Sequence, residues 1–172
     1  NYDEVIRAAD RLRDPCGGSI SGDAITISTV GLVPQIRRLA AERRPYRLIV
    51  SLTSTDLDVR RRLLPVASRF ALTDLADAIR CYHASRGGRI TIAWVLIAGV
   101  NTGVDEVLRL RTLLSDVPIR VNLIDVNDAR EGGYARASDE ERGRLLDALA
   151  AAEIPFVRRY SGGAARHAAC GM

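Results

Sequence analysis

Arg47-Leu48-Ile49-Val50-Ser51-Leu52-Thr53-Ser54-Thr55-Asp56 decides the fold, because the chain changes character there once and in a fixed order. A short, nearly continuous apolar run over 47–52 is the pattern of a strand buried on both faces. Four small polar residues follow. Helical spacing then runs over 57–64 and stops at Pro65, which a helix interior does not tolerate. Strand, polar loop, helix is the repeating unit of an α/β protein, and the same order recurs on both sides of this stretch.

Upstream, 24–28 is short and β-branched, Gly31 follows it, and 33–42 is helical with Pro34 in the first turn, where helices accept it. Before that, Val5, Ile6, Ala9 and Leu12 give 3–12 a helical spacing that ends in the turn residues Asp14-Pro15-Cys16-Gly17-Gly18. Downstream, Thr73 caps a predicted helix over 74–85, with Leu75, Ala78, Ile79 and Tyr82 on one face and Gly87-Gly88 at its end. A strand over 89–98, a loop over 99–103 and an amphipathic helix over 104–114 come next, the helix carrying Val107, Leu108, Leu110, Arg111 and Leu114 in register. The next strand is 119–124. After the irregular stretch 125–137, Ser138-Asp139-Glu140-Glu141 reads as a capping box opening a helix to 152, and 155–160 is a last short strand. Five apolar strands alternating with helices predict an α/β fold, a parallel sheet with helices on its outer face.

In such sheets, open or closed into a barrel, ligands bind beyond the carboxyl ends of the strands. Here those ends carry Ser28-Thr29, Ser51 to Thr53, Gly99 to Asn101 and Asp125 to Asn127. The groups are hydroxyls and amides with few charges. They suit hydrogen bonding to a polar ligand such as a nucleoside or an amino acid, and they do not suit acid–base hydrolysis. The same residue types also satisfy main-chain groups at strand ends, so both readings stay open for each of them.

The chain has 172 residues, of which 47% are hydrophobic, enough for one domain with its own core. No apolar run approaches the roughly 18 to 20 residues that span a bilayer, which predicts a cytoplasmic chain with no membrane partner. Cysteines at 16, 81 and 170 match neither a disulfide framework nor the close spacing of a zinc or redox motif. A formal charge of +4 permits an RNA partner without requiring one, and all 25 basic residues are Arg, the side chain best suited to phosphate and to stacking on bases. Composition of the genome is the plainer account of the absence of Lys. The first residue is Asn, and a helical pattern begins at once, which predicts a piece of a longer protein.

Ile25 to Pro34, Val50-Ser51-Leu52, Arg60 to Pro65, Asn101, Val121-Asn122-Leu123-Ile124, Asn127, Val157-Arg158-Arg159 and Ala168-Ala169-Cys170-Gly171 occur in the order found in one family. The chain resembles, over nearly its whole length, the RlmN/Cfr family of radical S-adenosylmethionine (SAM) methyltransferases. That resemblance implies a partial TIM-like barrel, the radical SAM barrel, with parallel strands and outer helices. It makes 1–172 the C-terminal part of that barrel, short of its N-terminal strands, with 156–172 as the strand and segment that carry a methyl-carrier cysteine. It further implies a [4Fe–4S] cluster held by a CxxxCxxC loop that this chain lacks, so that the fragment alone would be inactive. Carried over residue by residue, the SAM contacts are Ser28, Ser51, Leu52, Thr53 and Asn127, and Cys170 is the catalytic methyl carrier. In the family, one SAM methylates that thiol, a second yields a 5′-deoxyadenosyl radical that abstracts hydrogen from the methyl group, and the carbon radical adds to C2 of an adenine. The implied substrate is 23S rRNA, with tRNA as a second, and the implied reductant is a protein such as a flavodoxin. A soft, polarizable thiolate fits both halves of that task.

Three departures from the family pattern fall near the ligand. Thr53 stands where members commonly have His, Asp125-Val126-Asn127-Asp128-Ala129-Arg130 replaces a Pro-rich stretch, and Ser161-Gly162-Gly163-Ala164 replaces an Arg-Gly-Asp-Asp approach to the cysteine. They keep two alternatives in view, a diverged methyltransferase with a non-RNA substrate and a non-catalytic barrel fragment. Among the remaining residues, Trp94 reads as packing, His83 as a solvated helix end, and His167 as near enough to Cys170 to tune it or simply solvated. The Arg pairs 37-38 and 43-44 and the triplet 60-62 read as solvated faces, with Arg158-Arg159 in position to reach RNA phosphate.

Overall fold

The apolar runs become strands β1 (Thr26–Thr29), β2 (Arg47–Ser51), β3 (Ile90–Leu96), β4 (Ile119–Asp125) and β5 (Phe156–Arg159). They form one sheet in that order, and every neighbouring pair is parallel. The computed structural model describes residues 1–127 and 132–159. Helix α1 (Tyr2–Arg13) precedes β1, and between strands the chain returns through helices α2 (Val33–Ala41), α3 (Leu57–Leu63), α4 (Leu72–Arg86), α5 (Val104–Leu113) and α6 (Asp139–Ala151). Parallel neighbours require such crossovers. The result is the predicted all-parallel α/β arc, with β1 and β5 as its two edges.

The helices cover one face. Leu48, Val50, Ile92, Trp94, Val121 and Leu123 from the strands share a core with Ile36, Leu39, Leu75, Ile79, Leu110 and Leu149 from the helices. Each such side chain withdrawn from water contributes about 1.5 to 3 kcal/mol. Trp94 is packing, as expected, with its indole N–H donating to the Asn101 carbonyl at 3.4 Å.

Helix ends and stripes differ from expectation in detail. Helix α4 starts at Leu72 with Ala71 as an N-cap lacking a side-chain bond, so Thr73 sits in the first turn instead of capping it. Leu72 packs against the core, and that contact outweighs the cap. Val5, Leu12 and Leu108 follow helical spacing but are exposed, because α1 buries only Ile6 and Ala9 and α5 packs through Glu106, Val107 and Leu110. His83 is half-buried, and its Nδ1 has no partner among the described residues.

The capping box at α6 is present in full. The Ser138 hydroxyl accepts from the Glu141 N–H at 3.1 Å, and the Glu141 carboxylate accepts from the Ser138 N–H at 2.9 Å. The other carboxylate oxygen of Glu141 accepts from the Gly99 N–H at 2.7 Å and the Thr102 hydroxyl at 3.1 Å, tying the loop after β3 to the start of α6. These bonds, the Ser138 N–H first, hold the Glu141 carboxyl below its ordinary range. A depressed carboxylate stabilises the fold above its unfolded pKa and stops doing so as pH falls through its folded value. Ser138→Ala removes the hydroxyl that caps the Glu141 N–H and is expected to cost about 1 kcal/mol in urea unfolding at pH 7. The Glu141 carboxylate keeps its bonds to the Ser138 and Gly99 N–H groups and to Thr102 in the variant, so the loss of its contribution in strong acid should be seen in both proteins.

Candidate functional site

Residues paired directly across a parallel ladder point to the same face of the sheet. The face opposite the helices therefore presents two adjacent rows, Ser28–Ile49–Thr91–Arg120 and Ser51–Ala93–Asn122–Val157. Ser28 is exposed and Ser51 half-buried, and Thr91 and Asn122 are small polar groups within the same surface. Where the helix-covered face is built from Leu, Ile, Val and Trp94, this one mixes hydroxyls, an amide and the Arg120 guanidinium with Ile49, Ala93 and Val157. Asn122 belongs to a motif conspicuous in the sequence, but only the register shows it in line with Ser51.

Backbone contacts fix the ends of β1 and β2. Arg60, on α3, is 3% exposed, and its guanidinium donates to the carbonyls of Ser51 (3.2 Å), Leu52 and Val30 (3.1 Å). The sequence places Arg60 in a solvated triplet; Arg61 and Arg62 are exposed, but Arg60 is buried. Burial pulls its pKa down to about 10, which leaves it charged near neutrality. Gly31 makes room for it: at φ +101°, a Cβ there would lie 2.9 Å from an Arg60 guanidinium nitrogen.

Past the end of β2, Leu52 puts its side chain in the core, and its N–H and carbonyl are engaged by Ala93 and by Arg60 and Ser54. Thr53 is buried at φ +63°, a left-handed conformation that is an outlier for a β-branched residue. Its carbonyl accepts from the Asn101 side-chain amide at 2.6 Å. Asn101, fully buried, also donates to the Val95 carbonyl at 2.7 Å and accepts from the Ile97 N–H at 2.9 Å. Of the two readings open for Asn101, the backbone-satisfying one holds.

Asn127 lies two residues past β4 and is 8% exposed. Its side-chain oxygen accepts from Arg136 at 3.5 Å, while its Nδ2 has no partner among the described residues. A buried donor left unmade costs about 1 to 3 kcal/mol, so this amide is a donor awaiting an acceptor. Beside it, Asp125 receives Arg158 at 3.0 Å and Arg142 at 3.4 Å. Arg158, expected to face phosphate, is thus paired with a carboxylate; Arg159 lies on the open face, in line with Ile124 and Val95.

The chain is 50% identical over 176 residues to a probable RNA methyltransferase of Anaeromyxobacter sp. (strain Fw109-5), covering 100% of this chain and 51% of that protein. It is 39% identical over 172 residues to a probable dual-specificity RNA methyltransferase RlmN of Alkaliphilus oremlandii, with 100% and 50% covered. A radical SAM methyltransferase from Sphaerobacter thermophilus superposes with a TM-score of 0.92 at 37% identity, over 99% of this chain and 50% of that one. The chain belongs to the RlmN family. It spans about half the length of the curated relatives it matches. No protein-family model matches it. A domain of a pyruvate-formate lyase-activating enzyme from Bacteroides vulgatus shares the fold, with a TM-score of 0.64 at 16% identity.

The RlmN family implies SAM and an iron–sulfur cluster, and the described residues fit the first only. The buried Asn127 Nδ2 beyond β4, which has no partner among the described residues, and the serine hydroxyls on the open face are donors and acceptors of the kind that hold an adenosine or a methionyl group. Among the described residues no group of three His, Cys, Asp or Glu side chains is placed to hold a metal ion, and Cys16 and Cys81 are free and exposed. No step through a cluster is derived from this chain. Cys170 lies outside the described residues, as do the rest of 160–172 and 128–131. Among the described residues no helix is long and apolar enough to cross a membrane.

Proposed function

We propose that this chain is the SAM-binding C-terminal part of a radical SAM methyltransferase that methylates C2 of an adenine in 23S rRNA, with tRNA as a second substrate, through a methylated Cys170. Bound SAM supplies the methyl group and, with a cluster and a reductant such as a flavodoxin, the radical. The chain's own residues bind and orient it: Ser28 and Ser51 offer hydroxyls on the open face, Thr53 shapes the end of β2, and Asn127 donates from the rim. The observation that carries this reading is the buried Asn127 Nδ2, without a partner among the described residues, at the carboxyl end of a polar sheet face, in a chain that aligns over its whole length with RNA methyltransferases.

The test uses the full-length protein with its cluster intact. Asn127→Ala is expected to weaken SAM binding about tenfold, the loss of one hydrogen bond to a ligand from a buried donor. Equilibrium dialysis of SAM measures it, and mass spectrometry of nucleosides from treated 23S rRNA fragments and tRNA reads the product. Unchanged SAM affinity in both Asn127→Ala and Ser51→Ala overturns the binding site. SAM cleavage without methylated adenosine in either RNA overturns the substrate and favours a non-RNA acceptor.

A further inference from the structure

We propose that Glu106 is a positioning residue that locks the loop leaving β2 and so sets the pose of the ligand-facing strand end. The inference rests on the reading of Ser51 and Thr53 as part of the SAM site. Glu106 stands in the first turn of α5, where an acidic side chain is ordinarily exposed and favoured by the helix dipole. It is 3% exposed here. One carboxylate oxygen accepts from the Ser54 hydroxyl at 2.5 Å, and the other accepts from the Thr55 N–H at 2.6 Å and from the Thr55 hydroxyl. Arg109 closes the cluster, 3.4 Å from the Glu106 carboxylate and 3.1 Å from the Thr55 hydroxyl. A carboxylate taken this far out of water is costly, and it is tolerated where several donors converge on it.

All of those loop donors come from the two residues after Thr53. Thr53 itself is held at φ +63° with its carbonyl on Asn101. A β-branched residue in that region costs about 1 to 3 kcal/mol and stays there only when its surroundings over-determine it. Glu106 and Asn101 supply that constraint, one on each side of the Thr53–Ser54 peptide. The restraint continues forward: the Ser54 hydroxyl accepts from the Asp56 N–H at 3.0 Å, and Asp56 caps α3 by accepting from the N–H groups of Asp58 and Val59. Helix α3 then returns Arg60 to the carbonyls of Ser51 and Leu52. The loop is therefore closed on itself through buried polar groups, with Asn101, Glu106 and Arg109 reaching it from outside and Glu106 alone taking both Ser54 and Thr55. An ion-containing cluster of this kind is weak as a source of stability; it selects one conformation out of several.

Glu106→Gln and Glu106→Leu separate positioning from simple structural support. The glutamine carbonyl can take both Thr55 donors while its amide donates to the Ser54 hydroxyl, so this variant should bind SAM as wild type does. The leucine fills the space and frees the loop, and SAM affinity should fall about tenfold, the scale set by releasing the Thr53 conformation. Both are made in the full-length, cluster-loaded protein, and the readouts are SAM equilibrium dialysis and amide hydrogen exchange of the peptide spanning 51–56. Faster exchange there together with weaker SAM binding in Glu106→Leu, both restored in Glu106→Gln, supports the proposal. Unchanged exchange at 51–56 in Glu106→Leu overturns it, as does faster exchange with unchanged SAM affinity. If Glu106→Leu does not fold, Ser54→Ala, which removes one donor and leaves the carboxylate, is read by the same two measurements with the same outcomes. A wild-type protein that binds no SAM would sink the functional reading alone, because the exchange comparison still decides the lock.

Discussion

Cys170→Ala in the full-length protein is expected to lower methyl transfer to RNA by about 10⁴-fold or more, the scale on which loss of a covalent nucleophile acts. On the proposed mechanism the thiolate takes the methyl group from SAM and carries it as a thioether, and among the described residues no cysteine belongs to the sheet. Cys16 lies in the turn after α1 and Cys81 sits in α4 on the helical layer, both exposed and outside the strands that carry the polar rows. Serine would not substitute for it. A neutral hydroxyl is a far weaker nucleophile than a thiolate near pH 7, so Cys170→Ser should be as inactive as the alanine variant. SAM binding is the control that separates carrier from cofactor site. It should survive in both variants, because Ser28, Ser51 and Asn127 are untouched, while Asn127→Ala should lose affinity and keep the carrier. Mass spectrometry of the protein should find a methylated Cys170 peptide in wild type and none in either variant. An unmodified thiol in an active enzyme, or activity in Cys170→Ala within tenfold of wild type, rejects the carrier role.

Much of the architecture was legible because this sheet is written in continuous apolar runs. Five strands start within two residues of where Ala24, Arg47, Arg89, Ile119 and Pro155 predict, since strands buried by crossover helices leave little room for polar residues. The Ser138 capping box was equally clear, because its bonds are local and its spacing fixed. What could not be read was the set of polar residues that answer to distant backbone. Arg60 looks like the first of three solvated arginines, yet its partners are carbonyls of 30, 51 and 52, and carbonyls are common to every residue type. Glu106 looks like an ordinary first-turn acid, and its partners lie 51 and 52 residues away. Asn101 stood among the ligand-facing groups because amides at strand ends serve both purposes. Ser28, Ser51 and Asn127 were identifiable by position at strand ends and by family resemblance. Only the register shows that Ser51 and Asn122 share a row, and only the packing past β4 shows the Asn127 Nδ2 buried without a partner among the described residues.

Replacing Arg60 should have the largest effect on stability of any single change outside the apolar core. The guanidinium bridges two neighbouring strand ends, taking Val30 after β1 and Ser51 and Leu52 at the end of β2, and no carboxylate among the described residues shares it. Arg60→Met keeps much of the volume and removes the buried charge, which is a gain, but leaves carbonyls in a dry site without their donor, at about 1 to 3 kcal/mol for each that water cannot reach. The net expectation is a loss of about 3 kcal/mol in urea unfolding at pH 7. Because burial lowers the pKa of Arg60 to about 10, the unfolded chain holds that proton more tightly than the folded one, and the penalty of its charge is relieved only as pH rises through 10 toward the ordinary arginine range. The Arg60→Met deficit should therefore be flat between pH 6 and 9. Arg60→Lys distinguishes charge from geometry: an ammonium can serve one strand end, but it lacks the planar fork that spans two. It should recover part of the stability while SAM affinity stays low, because Ser28 and Ser51 are then no longer held in register at their carboxyl ends. Gly31→Ala reports on the same contact from the other side. Its Cβ would press on the guanidinium at 2.9 Å and on Leu75 at 3.2 Å, from a φ of +101° that disfavours any side chain. The Gly31→Ala/Arg60→Met pair should then cost less than the sum of the two single changes, since the second removes the atom that the first collides with. Strict additivity in that cycle, or an Arg60→Lys variant with wild-type SAM affinity, would show that the strand ends are held by something other than this guanidinium.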